Sequence, residues 1–143
     1  MSIAITMRPR GQSLAIVAFG PSTLRYLQWL KPGYQHCLVA IQDGGQWQLL
    51  DPLSNSTEIM LLGELTPSEI LSAFRQRGLD AVAVQRRPPE MRSMPVAPFT
   101  CVEAVKRVLG IRARRIHTPW QLRCYLGRMR RERTFMKRGS TFF

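Results

Sequence analysis

Three residues in this chain have the types and placement to carry out acyl chemistry: Cys101, His36 and Asp51. Cys101 follows Thr100 and precedes Val102 and Glu103, a spacing that fits a capping box with Thr100 as N-cap and Glu103 at N3. Val102, Val105, Val108 and Leu109 then recur at helical spacing, and Gly110 supplies a stop. The spacing therefore predicts a helix over 101–109 with Cys101 at its first position. Free N–H groups and the dipole at that end favour a thiolate, the nucleophilic form of cysteine.

A hairpin must supply the partners. His36-Cys37-Leu38-Val39-Ala40-Ile41 is a short β-prone run, and Trp47-Gln48-Leu49-Leu50-Asp51 reads as its return strand, stopped by Pro52. Between them Asp43-Gly44-Gly45-Gln46 reads as a turn, since glycine takes positive φ without steric cost. A two-residue Gly44-Gly45 loop pairs Asp43 with Gln46 and sets Leu38 against Asp51. His36 and Asp51 then become diagonal neighbours on one face, about 7–8 Å apart at the backbone, a gap that side chains bridge. A loop one residue longer moves Asp51 to the other face. In the favoured register the carboxylate fixes the tautomer and orientation of the imidazole.

These stretches resemble a known group of enzymes. His36 to Pro52, with Trp47 and the closing Asp51-Pro52, looks like the His…Trp…Asp-Pro hairpin of transglutaminase-like and papain-like folds. Phe99 to Lys106 looks like the cysteine helix of the circularly permuted NlpC-type hydrolases, the group that includes lecithin–retinol acyltransferase-like proteins. There, as here, the histidine strand precedes the cysteine helix; Thr100 stands where permuted members often carry Asn. The resemblance covers residues 34–110. It implies an α+β fold, an antiparallel sheet packed with helices, with Cys101 as nucleophile, His36 as base and Asp51 as the residue that orients it.

The other sulfur and imidazole groups have plainer readings. Cys37 adjoins His36, so it points to the opposite face and reads as core. Cys124 lies inside the last helix. His117 precedes Thr118-Pro119, an N-cap and first-turn pair, and reads as the residue leading into that helix. Three cysteines and two histidines show no metal-ligand spacing, so neither a metal site nor a cofactor is expected. There is no phosphate-binding loop motif and no dinucleotide fingerprint.

At 143 residues with 45% apolar content, the chain is read as one α+β domain over 1–127 with a basic C-terminal tail over 128–143. No apolar stretch reaches 18 residues, and no secretory signal is evident. The expected location is the cytoplasm, or the virion if the chain is phage-encoded. Residues 13–19 read as a strand, 21–30 as a helix, 58–62 as a third sheet strand and 81–84 as a short buried strand. Thr66-Pro67-Ser68-Glu69 is a second capping box, opening a helix to Arg77 with Gly78 as its stop. Residues 87–98 carry four prolines and read as an extended loop leading into Cys101.

Charge is the second strong signal. The chain is formally +12, and residues 101–143 hold twelve basic and two acidic residues. Arg112, Arg114 and Arg115 precede the last helix; Arg128, Arg130, Arg131, Arg133, Lys137 and Arg138 crowd its end. Such a segment suits phosphate backbones or an acidic protein surface. Trp120, Tyr125, Phe135, Phe142 and Phe143 are interleaved, with Trp120 and Tyr125 expected to pack on the core. Two function classes follow. One is a cysteine peptidase or amidase acting on a peptide, a peptidoglycan-like stem or an acyl ester. The other is a non-catalytic structural or nucleic-acid-binding protein using its Arg-rich end. The small size, basic tail and NlpC-like core together resemble bacteriophage proteins, including virion components.

Overall fold

The computed structural model describes residues 13–53, 55–87 and 100–139, the side chains of 133–139 excepted. The proline-rich segment 88–98 and the side chains of Arg133, Phe135, Lys137, Arg138, Phe142 and Phe143 lie outside the described residues.

The molecule is α+β. Five strands, β1 (Leu14–Gly20), β2 (His36–Asp43), β3 (Gln46–Pro52), β4 (Thr57–Gly63) and β5 (Asp80–Gln85), form one antiparallel sheet in the order β4-β3-β2-β1-β5. α1 (Pro67–Gln76) covers one face; α2 (Cys101–Leu109) and α3 (Pro119–Gly139) cover the other. β1 reads as a continuous apolar run because it lies mid-sheet under both layers: Ala15 through Phe19 are at most 1% exposed. Alternate residues serve the two cores. Ala15, Val17, Phe19, Cys37 and Val39 pack with Val102, Val105, Leu109, Leu122 and Leu126. Ile16, Ala18, Ala40, Trp47 and Leu49 pack with Ile70 and Phe74.

The hairpin has the two-residue loop. Gly44 and Gly45 take φ of 59° and 86°, and Asp43 pairs with Gln46. The ladder continues to Val39 opposite Leu50. α1 is closed by a full capping box: Thr66 Oγ1 accepts from the Glu69 amide, and Glu69 Oε2 accepts from the Thr66 amide.

The helix expected over 21–30 is absent; only Arg25–Leu27 form a short 3-10 turn. Leu24, at its N-cap, has no oxygen to offer, and Pro32 disfavours helical backbone at Lys31. Polar groups stitch the connector instead. The Ser22 amide donates to Gln35 Oε1, and Gln28 Nε2 donates to the Ser22 carbonyl at 2.7 Å. Trp29, within that stretch, is 76% exposed. α3 passes without interruption from the expected domain into the segment read as a basic tail, as far as Gly139. No helix among the described residues is long and apolar enough to cross a membrane.

Candidate active site

Strand β2 begins with His36, β3 nearly ends with Asp51, and α2 begins with Cys101. The sequence places these three residues at element ends, and the fold brings those ends together. Continuing the observed hairpin register by three residues sets His36 opposite Leu53, with Asp51 its diagonal neighbour. The side chains close the gap: His36 Nε2 lies 2.6 Å from Asp51 Oδ1, each side chain 22% exposed. With Nε2 engaged by the carboxylate, Nδ1 is the ring nitrogen left to face the Cys101 sulfur, whose proximity raises the His36 pKa. Asp51 and His36 are hydrogen-bonded, and Cys101 lies beside that pair.

Cys101 sits at the first position of α2. Thr100, with extended backbone, accepts from the Glu103 amide through Oγ1 at 3.2 Å. The expected reciprocal half of the box is not made. Glu103 turns instead to Lys106 and Arg107, at 3.2 and 3.3 Å, because full charges one turn away outbid a backbone amide. Lys106 Nζ also donates to the Ile116 carbonyl at 3.2 Å, tying α2 to the segment before α3. At the other end Gly110 has φ 73°, and a Cβ there would lie 2.7 Å from the Arg87 carbonyl oxygen. Only glycine permits both the left-handed cap and that close approach.

Cys37 has a role that strand alternation concealed. It is fully buried in the core, as expected of its face. Its thiol and backbone amide also lie near enough to the Cys101 sulfur to lower the Cys101 pKa. The β2–β3 ladder is paired only as far as Val39–Leu50, and the thiol approaches the sheet beyond that point. There it meets His36 and Cys37 together, although the two belong to opposite faces of the strand. A cysteine beside the histidine was the available signal.

The charges follow from these contacts. The Cys37 thiol contributes most to lowering the Cys101 pKa; burial opposes it, and the His36 hydrogen bond and charge assist, leaving Cys101 at about 5. The interaction with Cys101 is the largest influence on His36; burial opposes it and Asp51 reinforces it, raising His36 to about 9. Cys37, beside the Cys101 sulfur and buried, is raised well above the ordinary thiol value. These shifts favour a thiolate–imidazolium pair, with the Cys37 thiol protonated beside it. Replacing Asp51 with Asn removes a charge from the imidazole and is expected to lower the His36 pKa by about a unit or more, as read by NMR titration of the ring.

The basic residues divide. Arg112, Arg114, Arg115, Arg128, Arg130 and Arg131 are exposed. Arg123 is not a solvent charge: its Nε lies 2.7 Å from Asp80 Oδ2, which also accepts from Tyr34 at 2.8 Å. Tyr125 packs against the core, as expected, whereas Trp120 lies outside the core cluster and packs edge-on against Tyr34, ring centroids 4.6 Å apart. His117 leads into α3, its amide bonded to Gln121 Oε1 at 2.9 Å. Among the described residues no group of three or more His, Cys, Asp or Glu side chains is placed to hold a metal ion. Compared with family models, curated proteins and solved structures, the chain matches none.

Proposed function

We propose that this protein is a cysteine hydrolase of the permuted papain-like, NlpC-type kind, cleaving an amide or ester. The observation that carries the reading is the Asp51–His36 hydrogen bond set beside Cys101, the first residue of a helix. The Cys101 thiolate attacks the substrate carbonyl carbon, and the carbonyl electrons move onto oxygen. The first amides of α2 have no intrahelical acceptor, so the Cys101 N–H is available to that oxyanion. Collapse breaks the bond to the leaving amine or alkoxide, which takes the proton of the His36 imidazolium. Water then gives a proton to neutral His36 and attacks the thioester, releasing the acid and the Cys101 thiolate. Asp51 holds the imidazole in orientation throughout.

The test is acylation by p-nitrophenyl acetate followed by peptide mass spectrometry. Acetyl is expected on Cys101, with turnover in the wild type, none in Cys101→Ser, and at least about a hundred-fold slower turnover in His36→Ala. An adduct spread equally over Cys101 and Cys124 would overturn the assignment. A second reading, a non-catalytic structural or nucleic-acid-binding protein such as a virion component, draws on the exposed arginines before and along α3. It predicts DNA retention that weakens steeply with salt.

A further inference from the structure

A groove of about 340 Å³ runs along α3, lined by Tyr34, Trp120, Arg123, Cys124, Gly127, Arg128 and Arg131. Its place in the fold is informative. Tyr34 lies two residues before His36, and Gly20 pairs with His36 while the adjacent Phe19 pairs with Asp80, the partner of Arg123. The groove and the thiol therefore share one end of the sheet, with the Asp80 and His36 backbones two strand spacings, roughly 10 Å, apart.

Its chemistry is one-sided. Asp80 is the carboxylate at this corner, and Arg123 and Tyr34 already occupy it. Neither Arg128 nor Arg131 has an ion pair among the described residues, and the two lie one turn apart on the same helix face. Lys31 Nζ adds a third cation, 3.6 Å from the centre of the Trp120 ring. Gly127 forms the floor. A glycine inside a long helix is unfavourable, and a Cβ here would meet only the end of the Arg123 side chain, at 3.2 Å. With no Cβ at this position the groove stays open between the arginines. Two guanidinium forks and an ammonium exceed what one carboxylate can use, and match the charge and several acceptor oxygens of a phosphate.

We propose that this groove binds a phosphate group, and that it is the subsite for a phosphate-bearing substrate of Cys101. The binding site stands on the groove itself; its role as a subsite rests on the hydrolase reading. Cys124 in the groove wall provides the readout. In the full-length protein, inorganic pyrophosphate is expected to slow iodoacetamide alkylation of Cys124, resolved by peptide mass spectrometry. Arg128→Gln and Arg131→Gln are each expected to weaken that protection roughly ten-fold in apparent Kd. Gly127→Leu, which is compatible with the helix, is expected to abolish it by filling the floor. Equal protection by glutarate, or protection unchanged in the arginine variants, would overturn the phosphate assignment. Protection by an oligothymidylate with none by pyrophosphate would replace a small phosphate ester with a nucleic-acid strand. The same digest reads Cys101: low-pH reactivity there without protection of Cys124 removes the groove alone, whereas an inert Cys101 with Cys124 protected removes the substrate role and leaves the site.

Discussion

Alkylation of Cys101 by iodoacetamide is expected to follow a titration centred near pH 5, and to move toward the ordinary thiol range when its donors are removed. At pH 6 a thiol with a pKa of about 5 is roughly nine-tenths ionised; one at the ordinary 9.0 is ionised to about one part in a thousand. The gain in thiolate is close to ~900-fold, but a weakly basic thiolate is a poorer nucleophile. A Brønsted coefficient of about 0.4–0.5 over four units takes back roughly 40–100-fold. The net advantage at pH 6 is about ten-fold, well within reach of a rate measurement. Cys37→Ala removes the first contributor and His36→Ala the imidazolium; each is expected to raise the midpoint by about 1–2 units, and the pair together by more. A wild-type midpoint near 9, or one unmoved by either change, would sink the site. The signs also fix the working range. His36 is raised in the folded state, so its stabilisation is complete below about 6.5 and lost as pH rises through about 9. Cys101 is lowered, so its stabilisation is complete above 9.0 and lost as pH falls through about 5. The ion pair exists between those limits, and kcat/KM is expected to be a bell with limbs near 5 and 9.

Glu103→Leu is expected to cost about 3–5 kcal/mol, a large part of the roughly 5–15 kcal/mol that holds a domain folded. The reason is Lys106, whose side chain is 6% exposed and whose ammonium is neutralised by Glu103 inside α2. Deleting the carboxylate strands a buried cation. The bond from Lys106 to the Ile116 carbonyl survives, which favours the lower figure. Arg107, 43% exposed, loses a contact of small value. Urea unfolding should show the loss as a midpoint lower by about 2 M. The double variant Glu103→Leu with Lys106→Met removes both charges and should return to within about 1 kcal/mol of wild type. If the double variant is as unstable as the single, packing rather than the stranded charge is responsible.

Local patterns carried most of the fold. The Gly44-Gly45 turn set the hairpin register, and with it the approach of His36 to Asp51, because a two-residue loop leaves one pairing open. Thr66, Thr100, Thr118 and Gly110 marked helix ends by capping chemistry that acts within four residues. What was not legible depended on distant contacts. The spacing of Leu24, Leu27 and Leu30 suited a helix, but Gln35, far along the chain, holds Ser22 and Gln28 in an irregular path. Alternation assigned Cys37 to the core, correctly, but where the ladder opens it no longer dictates which residues meet. Glu103 met both a capping rule and a charge rule, and only the assembled helix decided between them. The groove along α3 needed Tyr34 and Asp80, which no local pattern joins to Arg128.

The order of elements along the chain has a consequence for how the protein comes into being. All five strands and α1 lie before residue 86, and the layer that covers their second face comes wholly after residue 100. Arg87 is fastened to the last turn of α2 through the Leu109 carbonyl, so the sheet end and the helix end are held together as two separate polypeptide halves would be. His36, Asp51 and Cys37 belong to the first half and Cys101 to the second. During synthesis His36 and Asp51 emerge well before Cys101. If Cys101 is the nucleophile proposed above, it meets its partners only when α2 docks, so chemical competence and completion of the core would be the same event.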